Sequence, residues 1–188
     1  MTTAGTVPRT QGGTTLLSQC LGEFLHRLHR IDTHPAVLHL GVLCGANIAF
    51  LGAMGCRISV DGHAPLLLNH APDSFSGVLA WDAISRMPVE EATPFVDGLR
   101  KMLMSTGVIL AYFPGPPGGA EASSGRYRIV GEGKLAIEPS GQRHAGQKVY
   151  QNRDIYRLFS RFDVVRLAHH KSGTREVLVA KSRHTGKS

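Results

Sequence analysis

Two glycines and two aspartates in the first half of the chain have the types and spacing of a ligand-binding edge. Gly41 and Gly45 bracket a short turn after an apolar run, and Asp61 and Asp82 each end a later run of the same kind. A glycine allows the backbone to approach a ligand closely, because no Cβ stands in the way. A carboxylate accepts hydrogen bonds through two oxygens. The pattern therefore predicts a ligand site at this turn and these two acids.

The elements that must position these residues follow from the hydrophobic pattern. Short apolar runs typical of buried strands cover residues 36–41, 56–61, 76–82 and 106–113. Helices are predicted over 14–30, where apolar residues recur every three or four positions, and over 46–54 and 88–104. A Pro/Gly/Ala-rich loop at 114–125 leads to a hairpin at 126–138, a helix at 152–160 and a terminal antiparallel hairpin of strands 162–168 and 175–180.

This order of elements predicts an α/β fold with a Rossmann-like, mostly parallel sheet. Helices cover both faces of the sheet, and the terminal hairpin adds an antiparallel strand near one edge. In such sheets, ligands lie outside the carboxyl ends of the strands, beside the point where the strand order reverses. The predicted site thus comprises residues 41–45, Asp61, Asp82 and the loop after Phe113.

The 188 residues are enough for one domain with a core and short tails. We expect a disordered tail at 1–13, a single domain at 14–182 with residues 114–150 as a loop and hairpin insertion, and a basic tail at 183–188. Three widely spaced cysteines predict reduced thiols in a cytoplasmic protein and no disulfide framework. The N-terminus lacks the pattern of a signal peptide, and no apolar run is long enough to suggest a membrane partner.

The formal net charge of +7 is unevenly placed. Residues 1–94 carry five Lys/Arg and seven Asp/Glu, whereas residues 95–188 carry sixteen and seven. A basic half is compatible with a nucleic-acid partner. The charges are scattered and no block of five occurs, which favours a solvated basic surface or a protein partner of opposite charge.

The ordered motifs resemble the class I S-adenosylmethionine (SAM)-dependent methyltransferase family over about residues 37–180. The stretch VLHLGVLCGANIAFL (37–51) is similar to the family's first motif, in which a strand ends in an acid and runs into a G-x-G-x-G loop. CRISVD (56–61) is similar to the second strand, and FSGVLAWDAISRMP (75–88) to the fourth-strand motif. LRKMLMSTGVILAYF (99–113) and FDVVRLAHHKSGTREVLVAKS (162–182) are similar to the fifth-strand region and the closing hairpin.

The resemblance implies SAM as the cofactor and assigns a set of positions to it. Asp61 stands where the family holds the ribose hydroxyls, although an Asp before a glycine is also typical of a turn. Asp82 stands at the end of the fourth strand, where the family lines the cofactor or substrate. The alternative interpretation of Asp82 is a helix N-cap or a solvated acid. The candidate cofactor-binding residues are His39, Gly41, Leu43, Gly45, Asp61, Gly62 and Asp82.

Three departures from the family pattern leave two functions open. His39 replaces the acid of the first strand, and Leu43 replaces the middle glycine of the loop. The span 62–75 is too short for the family's third strand and its helices, so the sheet is expected to be shortened there. The chain is therefore either a methyltransferase acting on an unidentified acceptor, with no catalytic residue assigned, or a catalytically inactive relative that serves as a binding or assembly module.

Other chemistries fit the sequence less well. The glycine turn matches neither G-x-G-x-x-G nor G-x-x-x-x-G-K-[ST], and the fourth strand is not followed by an N-P-P-Y motif of amino-group methylation. The ten histidines include the pairs His26/His29 and His169/His170, but no acid or cysteine lies near them in ligand spacing, so no metal site is predicted. Cys44 is interpreted as a small loop residue and Trp81 as a core residue, ahead of roles as nucleophile and stacking platform.

Overall fold

The computed structural model describes residues 14–42, 44–61, 69–115, 125–139, 149–171 and 173–182. Within them, the helices are α1 (Gln19–Ile31), α2 (Gly45–Ala53), α3 (Val89–Met102) and α4 (Asn152–Leu158), with a short 3-10 helix at Ile84–Arg86. The strands are β1 (Thr14–Leu17), β2 (Ala36–Leu40), β3 (Arg57–Asp61), β4 (Phe75–Trp81), β5 (Leu103–Phe113), β6 (Gly125–Gly131), β7 (Lys134–Pro139), β8 (Phe162–His169) and β9 (Arg175–Lys181).

The main sheet has the order β3-β2-β4-β5-β9-β8 in the described part of the chain. Strands β3, β2, β4 and β5 are parallel, and β9 is antiparallel to both of its neighbours. This confirms the predicted mostly parallel sheet with an antiparallel terminal hairpin. Because β8 consequently runs in the same direction as β5, the β8–β9 turn lies at the edge where the parallel strands end.

Both faces of this sheet are covered, as predicted. On one face, α1 and α2 pack with Leu79, Leu110 and other residues of the sheet. On the other face, α3, α4 and the 3-10 helix pack with Val78, Ile109 and their neighbours. The strands between these layers read as continuous apolar runs because both of their faces are buried. At Gly77 of β4, Phe24 and Leu28 of α1 approach so closely that there is no room for a Cβ.

The prediction of one helix from residue 14 is wrong at its beginning, since Thr14–Leu17 form β1 and pair antiparallel with β7. The helix begins after Ser18, whose Oγ accepts a hydrogen bond from the N–H of Leu21 at 2.9 Å, as an N-cap residue does. The N–H of Ser18 donates to the carbonyl of Gly133 at 2.8 Å and thereby ties this corner to the β6–β7 turn. Leu17, which continues the apolar spacing of the helix, is 73% exposed.

The hairpin predicted at 126–138 is present as β6 and β7, and β1 completes a small three-stranded sheet with the order β1-β7-β6. Its apolar residues Tyr127, Ile129, Leu135 and Ile137 are buried on the α1/α2 face of the main sheet. The hairpin of the insertion therefore packs onto the domain, and its inner surface forms part of the core.

The region expected to be shortened lies between β3 and β4. Residues 69–74 form neither a helix nor a strand, and within the described residues the sheet ends at β3. Gly62 and the rest of 62–68 lie outside those residues, as do the tails predicted at 1–13 and 183–188. No helix in the described ranges is long and apolar enough to cross a membrane.

Candidate functional site

The carboxyl edge of the parallel strands brings Gly41 and Asp61 together. Leu40 at the end of β2 pairs in register with Asp61 at the end of β3, and the N–H of Gly41 donates to the carbonyl oxygen of Asp61 at 3.1 Å. Gly41 has a φ of 86°, a backbone conformation that favours glycine because other residues carry a Cβ. The register of two adjacent strands thus places the glycine turn beside the acid.

The carboxylate of Asp61 is accessible, with a side chain that is 26% exposed. Its Oδ2 lies 3.6 Å from Nε2 of His70, and the imidazole of His70 packs edge-on against the ring of Phe75 with centroids 5.0 Å apart. The sequence did not single out His70. Its contact depends on the return of the chain from β3 to β4, which no local pattern predicts.

Gly45 begins α2, and a Cβ built on it meets no atom of the described residues within 4 Å. Cys44 precedes it at the N-cap position, is 6% exposed and makes no side-chain capping bond. Leu43, the residue that replaces the middle glycine of the loop, lies outside the described residues. The described part of the turn thus presents glycine backbone at both of its ends.

Asp82 follows β4 and is 1% exposed, so it is not a solvated acid. Its Oδ1 accepts a hydrogen bond from Nη2 of Arg86 at 2.7 Å, one turn further along the 3-10 segment. A Cβ built on Gly41 would lie 3.5 Å from this same Nη2. The Asp82–Arg86 ion pair therefore stands directly beside the glycine turn. The i,i+4 spacing of the two residues is visible in the sequence, but their proximity to Gly41 is not.

His39 is fully buried beneath the turn. Its Nε2 accepts a hydrogen bond from Nε1–H of Trp81 at 2.9 Å and lies 3.2 Å from Nδ2 of Asn47. Burial lowers the pKa of His39 to about 4, because the charged imidazolium would lose its hydration. At neutral pH the position that carries an acid in the resembled motif therefore holds an uncharged ring.

Asn47, in the first turn of α2, joins this site to the small sheet. Its Nδ2 donates to the carbonyl of Tyr127 at 2.8 Å, and its Oδ1 accepts from the N–H of Ile129 at 2.7 Å. The ring of Trp81 stacks on that of Tyr127 at 5.3 Å, with the two planes 5° apart. Trp81 is 3% exposed, which agrees with its interpretation as a core residue. The β6–β7 hairpin thus covers this part of the carboxyl edge of the main sheet.

A second polar cluster lies at the end of β5, and the sequence did not reveal it. Glu176 of β9, 1% exposed, pairs in register with Tyr112 of β5. Its Oε2 accepts from Oγ of Ser18 and from the phenol of Tyr112 at 3.1 Å, and its Oε1 lies 2.8 Å from Nε2 of His170. Burial, followed by the charge of Glu176, raises the pKa of Tyr112 well above its usual value, so the phenol keeps its proton.

The adjacent residues His169 and His170 carry no local signal for an ion pair, whereas the structure pairs His170 with the carboxylate of Glu176. Within the described ranges, no group of three or more His, Cys, Asp and Glu side chains could hold a metal ion. The polar groups of this region are instead paired with one another.

Solved structures share this architecture at low sequence identity. The 1,6-didemethyltoxoflavin-N1-methyltransferase of Burkholderia thailandensis superposes with a TM-score of 0.56 at 15% identity, over 88% of this chain and 80% of that one. The N-methyltransferase NodS from Bradyrhizobium japonicum, solved with S-adenosylhomocysteine (SAH), gives 0.55 at 13% identity, over 86% and 85%. The [4+2]-cyclase SpnF gives 0.54 at 10% identity, over 86% and 80%.

The chain has the class I methyltransferase fold. The six-stranded main sheet of the described residues, the helices on both of its faces and the closing hairpin all agree with that assignment. No protein-family model matches the sequence, and no curated protein matches it either. Since a cyclase shares the class I methyltransferase fold, the fold does not by itself define the reaction, and function must be argued from the site.

Proposed function

We propose that this protein binds SAM at the edge formed by Gly41 and Asp61 and transfers its methyl group to an acceptor that is still to be identified. The observation that carries the proposal is the pairing of a glycine turn with an accessible carboxylate. The N–H of Gly41 bonds the backbone of Asp61 at 3.1 Å, and the carboxylate beside it is 26% exposed. Two carboxylate oxygens suit the two hydroxyls of a ribose.

The described residues fit the cofactor. Asp61 would hold the ribose, and the Cβ-free backbone of Gly41 and Gly45 would lie along the amino-acid tail. SAM, when bound, supplies a methyl group on a positively charged sulfur. The protein then has to orient the acceptor in line with that methyl group and keep water out. The buried Trp81–Tyr127 stack belongs to the core that supports this edge of the sheet.

Isothermal titration of the full chain with SAH tests this proposal. We expect Asp61→Ala to weaken SAH binding by about tenfold or more, because the ribose loses a charged hydrogen-bond acceptor. Asp163→Ala is the matched control, since Asp163 is an exposed acid on β8. The absence of SAH binding to the unmodified chain at millimolar ligand, or equal binding by Asp61→Ala, would overturn the proposal.

The alternative is an inactive relative that serves as a binding or assembly module. The uncharged, enclosed state of His39 favours it, since no anion at this position can attract the ammonium of the cofactor. Methyl transfer from radiolabelled SAM to any acceptor, abolished by Asp61→Ala and retained by Asp163→Ala, would contradict the alternative. SAH binding without transfer to any acceptor tested would favour it.

A further inference from the structure

The glycine turn of this site lies against a cation. Apart from its chain neighbours, the only described atom within 4 Å of a Cβ built on Gly41 is Nη2 of Arg86, at 3.5 Å. In the motif that this segment resembles, a carboxylate at the end of the first strand attracts the ammonium of the cofactor. Here His39 occupies that position, and the charged group beside the turn is the guanidinium of Arg86. The turn is therefore bordered by a positive charge, whereas the resembled motif has a negative one.

His39 cannot take over the role of the missing carboxylate. Its pKa of about 4, lowered by burial, leaves the ring uncharged at neutral pH. Its Nε2 already accepts the N–H of Trp81 at 2.9 Å and lies 3.2 Å from the amide nitrogen of Asn47. The ring is fully buried among these groups. An ammonium placed at the turn would therefore gain no ionic contact from this position.

Arg86 is suited to hold an anion at the same place. The buried Asp82 carboxylate binds Nη2 at 2.7 Å and orients the guanidinium, while the arginine side chain remains 26% exposed. Arginine has five N–H donors in a planar fork that matches a carboxylate. Within the described residues, the bond to Asp82 is the only hydrogen bond that this guanidinium makes, so its other N–H donors are available to a ligand.

We propose that this site recognises the amino-acid tail of its cofactor through the carboxylate, which binds Arg86, and not through the ammonium. The inference rests on the proposed function, because it assigns one more contact within the same site. Asp82 balances the charge of Arg86 in the free protein, which explains why a cation is stable beside the glycine turn. A carboxylate at the turn adds a charge-assisted, fork-shaped contact.

Titration calorimetry with four adenosine ligands tests this inference on the full chain. The ligands are SAH, its analogue without the carboxylate, its analogue without the amino group, and 5′-methylthioadenosine, which lacks the whole tail. We expect loss of the carboxylate to weaken binding about tenfold or more, and loss of the amino group to weaken it less than about threefold. Equal binding of SAH and the decarboxylated analogue, or a larger effect of the amino group, would overturn the inference.

Arg86→Gln should remove the preference for SAH over its analogue without the carboxylate. Its affinity for SAH should fall to that for the decarboxylated analogue, while its affinity for 5′-methylthioadenosine stays unchanged. Arg153→Gln, at an exposed position of α4, is the control and should bind all four ligands like the unmodified chain. If Arg86→Gln fails to fold because the buried Asp82 loses its ion-pair partner, the double variant Asp82→Asn/Arg86→Gln removes that buried charge and gives the same readout. Selective binding of SAH by either variant contradicts the role of Arg86.

The outcomes separate this inference from the proposed function. If none of the four ligands binds, the proposed function fails and this inference fails with it. If all four bind equally and Asp61→Ala weakens them all, the adenosine site stands and only the role of Arg86 is refuted.

Discussion

The indole Nε1–H of Trp81 donates to Nε2 of His39 at 2.9 Å, although the two residues lie 42 positions apart in the chain. Because Nε2 accepts this bond, the proton of the neutral imidazole must be on Nδ1. The hydrogen bond joins the ends of β2 and β4 beneath the glycine turn and fixes which tautomer of His39 is present. Protonation of Nε2 would break it.

The free energy of unfolding should therefore decrease as the pH is lowered from 6.5 to about 4. The unfolded chain takes up a proton at His39 near its usual pKa of 6.5, whereas the folded chain does so only near 4. Across that window the unfolded state binds more protons, so the free energy of unfolding decreases as the pH falls and levels off below about 4. The full effect is about 3 kcal/mol. Urea unfolding at pH 7, 5.5 and 4.5 measures it.

His39→Gln serves as the comparison, because glutamine does not titrate. The difference in unfolding free energy between the variant and the unmodified chain should shrink as the pH falls through this window. Parallel pH profiles of the two proteins would show that His39 does not contribute to the dependence.

Asn47→Ala should destabilise the attachment of the small sheet. The substitution leaves the carbonyl of Tyr127 and the N–H of Ile129 without their partner. Two buried polar groups without partners correspond to a loss of about 2–4 kcal/mol in unfolding free energy. Urea unfolding measures the loss, and hydrogen exchange at the Ile129 amide should become faster. Asn152→Ala, at the exposed start of α4, is the control and should leave that amide protected.

Glu176→Ala should destabilise the fold by about 3 kcal/mol, because a buried carboxylate that binds two hydroxyls and an imidazole is removed from the end of β5. Glu138→Ala removes an acid whose side chain is 36% exposed and pairs with Arg128 at 3.1 Å, so it should lower stability by less than about 1 kcal/mol. Thermal and urea unfolding of both variants give the comparison. Equal losses would mean that the buried cluster contributes no more than a surface ion pair.

Gly77→Ala should lower stability by about 1–3 kcal/mol through overpacking. A Cβ on Gly77 would lie 2.5 Å from Leu28 and 2.9 Å from Phe24, so α1 must shift away from β4. Gly52→Ala in α2 is the opposite case, because a Cβ there meets no atom of the described residues within 4 Å, and alanine should raise stability by up to about 1 kcal/mol. Unfolding free energies of the two variants should change with opposite signs.

The sheet could be predicted because its strands are covered on both faces. Continuous apolar runs such as residues 76–82 and 106–113 are recognisable without any partner, and the order of strands and helices then permits few topologies. The beginning of α1 could not be predicted in this way. The apolar spacing of a helix extends through Leu17, but pairing with β7 and capping by Ser18 decide the conformation of residues 14–17.

The sequence by itself determined the fold class and located Gly41, Asp61 and Asp82 at the ends of strands. The fold class and these positions follow from the pattern of apolar residues within single segments. Only the tertiary structure decided what surrounds these residues. It placed Arg86 against Gly41, enclosed His39 between Trp81 and Asn47, and assembled Ser18, Tyr112, His170 and Glu176 into one cluster. Most of these contacts join residues 42 to 158 positions apart, so no local pattern encodes them. The pairs His39–Asn47 and His170–Glu176 are only 8 and 6 positions apart, and they depend on how the chain turns after β2 and between β8 and β9.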